Sequence, residues 1–200
     1  MDQFSSLNIK KTGLLFVVSG PSGVGKSSLI DRFLKEDATT RFSISYTTRQ
    51  IRPLEKDGKD YYFVDIDTFQ TMVKEEQFLE WENVHGHLYG TPRKQIGETL
   101  GKGMDMILDI DVKGALRVKE TCPAARLIFI EPPSKEDLVK RLSLRGEKEL
   151  DLRMKRVEEE LERKSFFAYT IVNDTLVRAY EDFRHIIETL RRKPNGTNNC

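Results

Sequence analysis

Cysteine and net charge are scarce in this chain of 200 residues, and long apolar runs are missing. Its 33 basic side chains balance 32 acidic ones, so the formal charge of +1 provides no overall field that would attract nucleic acid or an anionic membrane. Two cysteines, Cys122 and Cys200, are too few for a disulfide framework and favour a reducing compartment. The first residues, MDQFSSLNIKK, lack the apolar segment of a signal peptide. We therefore expect a cytoplasmic protein that binds neither nucleic acid nor membrane.

Short apolar runs alternate with amphipathic helical patterns over most of the chain. Hydrophobic residues make up 38% of the sequence, which is enough for the core of one domain. Strand-like runs occur at residues 14–18, 104–110, 127–130 and 170–172, and helical spacings occur at 29–34, 150–161 and 176–190. Strands that alternate with helices predict an α/β fold, in which helices cover both faces of a parallel sheet.

One segment, between the first predicted helix and the strand at 104–110, breaks this alternation. In it FSISYTTR and DYYFVDI have the pattern of strands joined by a charged turn, where Asp57 and Gly58 are a turn signal. Thr91 and Pro92 predict a helix start, with the threonine hydroxyl as cap and the proline in the first helical position. The predicted domain, residues 12–192, therefore comprises a core of 12–40 and 101–192, an inserted mixed lobe at about 41–100, and flexible tails at 1–11 and 193–200.

The segment GPSGVGKS, from Gly20 to Ser27, fits the phosphate-loop pattern G-x-x-x-x-G-K-[ST] at every fixed position. Glycines allow the backbone to curl around a phosphate, and the helix that follows points its free amides at the anion. Lys26 would then bridge two phosphates, and the hydroxyl of Ser27 would ligate Mg²⁺. A structural turn is the alternative, but the flanking strand and helix favour a nucleoside triphosphate site.

Further motifs follow the phosphate loop in a fixed order: TTRxxRxxExxGxDYxF, EW, YG, LDIDxxG, PPS, RLxxRG and VND. With GPSGxGKS they make the chain resemble the guanylate kinase family from about Leu14 to Leu190. The resemblance implies a P-loop nucleoside monophosphate kinase fold with a mobile lid at about residues 141–156. It also implies transfer of the γ-phosphoryl group of ATP to GMP, with these nucleotides as substrates and Mg²⁺ as cofactor.

Arg49 and Arg52 stand three residues apart in a polar segment, where two guanidinium groups could grip one phosphate from two sides. From the spacing alone, a solvated charged loop is an equal alternative. The resemblance assigns both arginines to the phosphate of GMP, together with the hydroxyls of Tyr61 and Tyr89.

Guanine presents two adjacent donors, N1–H and the 2-amino group, which one carboxylate can accept side by side. The resemblance assigns this role to Glu80, with Ser45 and Thr91 supplying hydroxyls near the base. Without the resemblance, a surface glutamate would be the preferred interpretation of Glu80. Adenine has an acceptor at N1, so it would leave the carboxylate without a donor, and an unsatisfied buried group costs roughly 1–3 kcal/mol.

Asp109 and Asp111 come at the end of a predicted strand, where ligands bind in parallel sheets. Alternation along a strand would put both side chains on the same face. We expect one of them to hold Mg²⁺, with Asp109 as the candidate beside Ser27, and the other, Asp111, to serve the GMP site. Their individual roles stay open, and helix-capping aspartates are the alternative.

The lid is predicted from the arginine-rich stretch that follows PPS. The resemblance selects Arg141, Arg145 and Arg156, which would contact the phosphoryl group in transfer and exclude water. The predicted catalytic residues are Lys26, Arg52, Arg145 and Arg156. The predicted ATP site comprises Gly20, Pro21, Ser22, Gly23, Val24, Gly25, Lys26, Ser27, Ser28, Arg141, Arg145, Asn173 and Asp174.

Two other functions are compatible with parts of this pattern. One is a guanylate-kinase-like domain that binds proteins and has lost activity, but such domains characteristically have a degraded phosphate loop, and this loop is intact. The other is a P-loop kinase for a different small phosphorylated acceptor, which Glu80, Ser45 and Thr91 disfavour. The sequence leaves the oligomeric state open, with a homodimer or a larger homo-oligomer as candidates.

Overall fold

The computed structural model of the protein describes residues 12–84, 86–144 and 150–192. Within these ranges the strands are β1 (Leu15–Ser19), β2 (Thr40–Phe42), β3 (Tyr46–Thr47), β4 (Tyr62–Phe63), β5 (Phe78–Val84), β6 (His87–Pro92), β7 (Asp105–Asp109), β8 (Arg126–Glu131) and β9 (Tyr169–Val172). The helices are α1 (Lys26–Glu36), α2 (Ile66–Lys74), α3 (Arg93–Gly101), α4 (Val112–Thr121), α5 (Lys135–Leu144), α6 (Leu150–Glu162) and α7 (Leu176–Arg192), with a 3-10 turn at Arg163–Phe166. The predicted tails lie outside the described residues.

The larger sheet has five strands in the order β2-β7-β1-β8-β9, and every neighbouring pair is parallel. All residues of β1 are buried, as expected for a central strand with helices on both faces. Apolar residues of α1 and α7 pack on one face of this sheet, and those of α3 and α4 pack on the other. The predicted parallel sheet with helices on both faces is confirmed.

The smaller sheet has four strands in the order β4-β3-β6-β5 and is mixed. Asp57 and Gly58 do form a turn, with Gly58 at φ 71°, but they do not make the neighbouring strands a hairpin. Tyr46 of β3 pairs with Tyr62 of β4 in parallel, while β6 takes the antiparallel place on the other side of β3. The charged turn predicted between these strands is therefore present, and the strands that it joins pair in parallel. In addition, β2 belongs to the core sheet and crosses the predicted boundary at residue 41.

The helix start predicted at Thr91 was also wrong. Thr91 lies in β6, Pro92 is the N-cap residue instead of the first helical residue, and α3 begins at Arg93. The hydroxyl of Thr91 donates across the strand pair to Glu80, because the two residues are partners in the β5–β6 ladder. At the start of α5, the Ser134 hydroxyl accepts from the amide of Asp137 at 3.0 Å, which caps this helix.

Arg191, near the end of α7, connects this helix to the end of the larger sheet that lies away from the phosphate loop. Its guanidinium lies 2.6 Å from Asp37 and 2.7 Å from Asp105, and Asp105 also accepts from the amide of Leu14. Burial acts to raise the pKa of Asp37, but hydrogen bonds from Arg191 and Thr39 outweigh it and hold that pKa well below its ordinary value. The cluster therefore fastens α7 to both neighbouring loops.

Replacing Arg191 with alanine is expected to destabilise the fold by roughly 3 kcal/mol, because two largely buried carboxylates lose their partner. Asp37 has a lowered pKa in the folded state, so this stabilisation is present above the ordinary aspartate pKa near 3.9 and is lost as the pH falls. Urea unfolding at pH 7 and at pH 3 measures both effects. Arg192→Ala is the matched control, since that side chain is 81% exposed and lies 3.8 Å from Glu188. Equal losses in the two variants would contradict the role of Arg191.

Candidate active site

The phosphate loop curls between β1 and α1 with three glycines in left-handed conformations. Gly20, Gly23 and Gly25 have φ values of 137°, 84° and 98°. A Cβ atom at Gly20 would lie 2.1 Å from the carbonyl oxygen of Ile130, and one at Gly25 would lie 2.5 Å from the side-chain nitrogen of Asn173. The loop therefore needs glycine at these positions for both conformation and space.

Lys26 is the first residue of α1, and its ammonium group points back into the loop. It donates to the carbonyl oxygen of Gly20 at 2.7 Å and lies 3.8 Å from the carboxylate of Asp109. Among the described residues no side chain caps the N-terminus of α1, and its first turn carries no acidic residue. Free amides, a helix dipole and an ammonium group thus converge on the concave side of the loop, which is an arrangement that binds anions.

Ser27 and Asp109 lie side by side at the edge of this loop. The Ser27 hydroxyl donates to Asp109 Oδ2 at 3.5 Å. Burial raises the pKa of Asp109, and the charge of Lys26 and the Ser27 hydrogen bond oppose that shift. A hydroxyl and a carboxylate are oxygen ligands of the kind that Mg²⁺ takes when phosphates supply most of the others. The pair therefore fits a Mg²⁺ ion, although the described residues contain no larger cluster of metal ligands.

Asn173 and Arg141, both predicted to bind ATP, lie behind the phosphate loop and hold it. The side-chain amide of Asn173 is buried and donates to the carbonyl oxygen of Val24 at 2.7 Å. Arg141 donates to the carbonyl oxygen of Asn173 at 2.8 Å and points a second N–H at Val24. Asp174 faces elsewhere, since its carboxylate pairs with Arg178 at 3.2 Å. Asn173 and Asp174 are adjacent in sequence but have different surroundings.

A cleft of about 670 Å³ separates the phosphate loop from the smaller sheet. The phosphate loop and the start of α1 line it with Gly20, Ser22, Gly23, Gly25, Lys26, Ser27 and Ser28. The smaller sheet and its loops contribute Ser45, Arg52, Tyr61, Glu80 and Tyr89, and the remaining predicted residues in the lining are Asp109, Asp111 and Arg156. The structure thus brings most of the predicted donor and acceptor residues to one cavity. The lining does not include Pro21, Val24, Arg49 or Thr91. Arg145 lies outside the described residues.

Arg49 and Arg52 have different positions relative to this cleft. Arg52 lines it, whereas Arg49 forms a two-point contact with Glu55, at 2.7 Å and 2.9 Å, and donates to the hydroxyl of Tyr89 at 3.2 Å. The backbone amide of Arg52 also donates to Glu55. Glu55 is a fixed position of the motif TTRxxRxxExxGxDYxF, but sequence reasoning gave it no role.

Tyr61 and Tyr89 present phenol groups to the same end of the cleft, with their rings in edge contact at 5.8 Å. Burial raises the pKa of Tyr61 to about 12, and the charge of Asp109 contributes in the same direction. The Tyr61 hydroxyl therefore stays protonated near neutral pH and can donate a hydrogen bond to an anion.

Glu80 is only 8% exposed, lies on β5 and lines the same cleft as the phosphate loop. Its Oε1 accepts a hydrogen bond from the Thr91 hydroxyl. Burial raises the pKa of Glu80 to about 7; the Thr91 hydrogen bond opposes this shift and the charge of Asp111 adds to it. Other lining residues that the sequence did not predict include Glu82, Val84 and Glu160.

The structure separates the two aspartates that the sequence placed on one strand. β7 ends at Asp109, and Asp111 is the N-cap of α4, where its carboxylate accepts from the amide of Gly114 at 2.8 Å. The helix-capping alternative is therefore correct for Asp111, and the shared strand face was wrong. Both residues still line the cleft, with Asp109 next to Lys26 and Asp111 close enough to Glu80 to raise its pKa.

Comparison with known proteins agrees with this geometry. The family model described as guanylate kinase matches residues 12–190. Proteins named guanylate kinase from Caldanaerobacter subterraneus subsp. tengcongensis and Thermus thermophilus are each 45% identical over 184 residues, which is 90% of this chain and 89% and 83% of those proteins. A crystal structure of guanylate kinase from Anaplasma phagocytophilum matches with a TM-score of 0.76 and 31% identity, and the match covers 92% of this chain and 89% of that one. The predicted fold is confirmed, and the chain belongs to the guanylate kinase family.

Proposed function

We propose that the protein is a guanylate kinase, which transfers the γ-phosphoryl group of ATP to GMP and releases ADP and GDP. The observation that carries this proposal is the single cleft, which has the phosphate loop with Lys26 on one wall and Glu80 with Arg52 on the other. Two nucleotides bound in one cavity can react directly, because the site holds them in the right geometry and the reaction no longer depends on a bimolecular encounter. No covalent enzyme intermediate is needed, since an oxygen of GMP is the nucleophile.

On the donor side, the phosphate loop binds the β- and γ-phosphates of ATP through its backbone amides. Lys26 exchanges its contact with the Gly20 carbonyl oxygen for the phosphates, which are the stronger acceptors. Ser27 and Asp109 would hold Mg²⁺, which would neutralise phosphate charge during transfer. Asn173 and Arg141 keep the loop in its curled shape from behind.

On the acceptor side, Arg52 and the hydroxyls of Tyr61 and Tyr89 bind the phosphate of GMP. Arg49 supports this site by holding the Tyr89 hydroxyl, while Glu55 fixes the guanidinium of Arg49 and the backbone at Arg52. The charge of Arg49 is thus compensated before GMP arrives, so its main contribution is orientation.

Guanine is recognised by Glu80, whose carboxylate accepts the N1–H and 2-amino donors of the base. Thr91 fixes Oε1, Ser45 lines the same cleft, and Asp111 is close to Glu80 as a further acceptor. Adenine would leave the buried carboxylate unsatisfied, at a cost of roughly 1–3 kcal/mol.

Arginines from the lid complete the site when both nucleotides are bound. Arg156 of α6 lines the cleft, and Arg145 is proposed to join it on the transferring phosphoryl group. Positive groups placed there stabilise the charge of the transition state and exclude water, which would otherwise hydrolyse ATP.

The intact phosphate loop distinguishes this protein from a protein-binding domain of the same family, and Glu80 distinguishes it from kinases for other acceptors. No helix among the described residues is long and apolar enough to cross a bilayer. The cytoplasmic location and a homo-oligomeric state stay predictions.

The proposed activity is tested by measuring ADP release with ATP and a panel of acceptors: GMP, AMP, UMP, CMP and dTMP. We expect GMP to be used at least about a hundredfold more efficiently than AMP, because a site built for specific hydrogen bonds strongly rejects an analogue that cannot make them. Lys26→Ala should nearly abolish turnover. GDP formation that persists at a near-normal rate in this variant, or a different preferred acceptor, would overturn the proposal.

The raised pKa of Glu80 predicts a pH-dependent KM for GMP. The carboxylate form accepts both guanine donors, so protonation below about pH 7 removes one acceptor. We expect the KM for GMP to rise about tenfold between pH 8 and pH 6, as the ionised fraction falls. Glu80→Gln keeps the shape of the side chain but does not titrate, so it corrects for titration of the GMP phosphate. Identical pH profiles for the two proteins would exclude Glu80 as the titrating group.

Substitutions of the neighbouring residues Asn173 and Asp174 are predicted to change ATP binding by different amounts. Asn173→Ala removes a buried hydrogen bond to Val24 and should weaken ATP binding about tenfold, with little change in GMP binding. Asp174→Ala is the matched control, because its carboxylate pairs with Arg178 on the surface, and ATP binding should change less than twofold. Calorimetric titration of each nucleotide decides this, and equal losses in the two variants would contradict the bracing role of Asn173.

A further inference from the structure

The carboxylate proposed to recognise guanine rests against the first turn of α4. Gly114 is buried in that turn, and a Cβ atom there would lie 2.9 Å from Glu80 Oε2 and 3.3 Å from Glu80 Cδ. Carbon and oxygen atoms do not approach so closely without one of them moving. The absent side chain of Gly114 therefore provides the space that the Glu80 carboxylate occupies.

Backbone conformation does not explain this glycine. Gly114 lies within α4 and does not have a positive φ, so alanine could adopt the same conformation. Alanine is also the better helix former, which means that glycine weakens α4 locally. The close contact with Glu80 explains why this position has glycine.

Glu80 has little freedom to retreat from α4 while keeping its contacts. Its Oε1 accepts a hydrogen bond from Thr91. Arg117, which follows Gly114 in α4, contacts β5. Arg117 donates to the carbonyl oxygen of Trp81 at 2.8 Å and lies 3.1 Å from Glu82 Oε2. A methyl group at Gly114 would therefore displace the end of the Glu80 side chain instead of moving the strand.

We propose that Gly114 is a positioning residue for base specificity: it lets the surface of α4 hold Glu80 Oε2 while Thr91 holds Oε1. This inference rests on the guanylate kinase activity proposed above. Both carboxylate oxygens are then fixed in the geometry that accepts the adjacent N1–H and 2-amino donors of guanine. Displacing Oε2 removes the acceptor for one of these donors and leaves the phosphate-binding residues in place.

The test is Gly114→Ala, with the acceptors GMP and IMP compared. IMP keeps the N1–H donor and the carbonyl oxygen O6 of GMP but has hydrogen in place of the 2-amino group. We expect kcat/KM for GMP to fall at least about tenfold, the GMP-to-IMP ratio to fall toward one, and ATP binding to stay unchanged. Gly97→Ala is the matched control, because Gly97 lies in α3 with open space around its Cβ position, and it should leave all three values unchanged.

A double-mutant cycle separates positioning of Glu80 from a general packing role. In a Glu80→Ala background the clash partner is gone, so adding Gly114→Ala should change kcat/KM for GMP less than twofold. If Gly114→Ala alone does not fold, the double variant should recover a folded protein by circular dichroism. An unchanged GMP-to-IMP ratio, an equally large effect in the Glu80→Ala background, or an unfolded double variant would each overturn the inference. Wild-type protein that does not phosphorylate GMP would instead overturn the proposed function, and this inference with it.

Discussion

Close packing of the phosphate loop against the ends of β8 and β9 is the constraint on which the rest of the site depends. The Gly20 backbone lies against Ile130, and Gly25 lies against the buried side chain of Asn173. Because there is no side chain between these surfaces, the sheet fixes the curvature of the loop before any nucleotide binds. The entropy of ordering the loop is then lost during folding, and phosphate binding does not bear that cost.

The same sheet aligns the donor and acceptor halves through one short segment. The end of β7 places Asp109 beside Lys26 and Ser27, and two residues later Asp111 caps the N-terminus of α4. The first turn of α4 in turn supports Glu80 of the smaller sheet. The residues proposed to bind the phosphates and the base are thus joined by a few residues of regular structure. A shift of α4 would therefore move one half of the proposed site relative to the other. A short connection from β7 to α4 keeps the two halves of the site aligned, and with them the two substrates.

Local patterns predicted the phosphate loop well, because strand, glycines and helix follow one another directly in the sequence. They did not predict the side-chain partners of Thr91 and Arg49. Thr91 has the local pattern of a helix cap, yet its hydroxyl bonds to Glu80 across the strand pair. Arg49 has the spacing of a phosphate ligand, yet Glu55 holds it in a two-point contact. In both cases the acceptor is a carboxylate. The pairing of strands β5 and β6 brings Glu80 to Thr91, and single-sequence periodicity does not contain that pairing. Glu55 lies only six residues from Arg49, but local patterns do not tell whether an arginine in a charged turn pairs within the turn or binds a ligand.

In the proposed recognition of guanine, burial of Glu80 determines both the selectivity of this carboxylate and its ionisation, so the two properties cannot be adjusted independently. A buried carboxylate makes a mismatched base costly, because no water replaces the missing donor. The same desolvation, with the nearby charge of Asp111, raises the pKa of Glu80 to about 7. Greater exposure would keep the carboxylate ionised but would let water satisfy it opposite adenine, and discrimination would weaken. Thr91 relieves part of this conflict, because its hydroxyl stabilises the ionised form without opening the site to solvent.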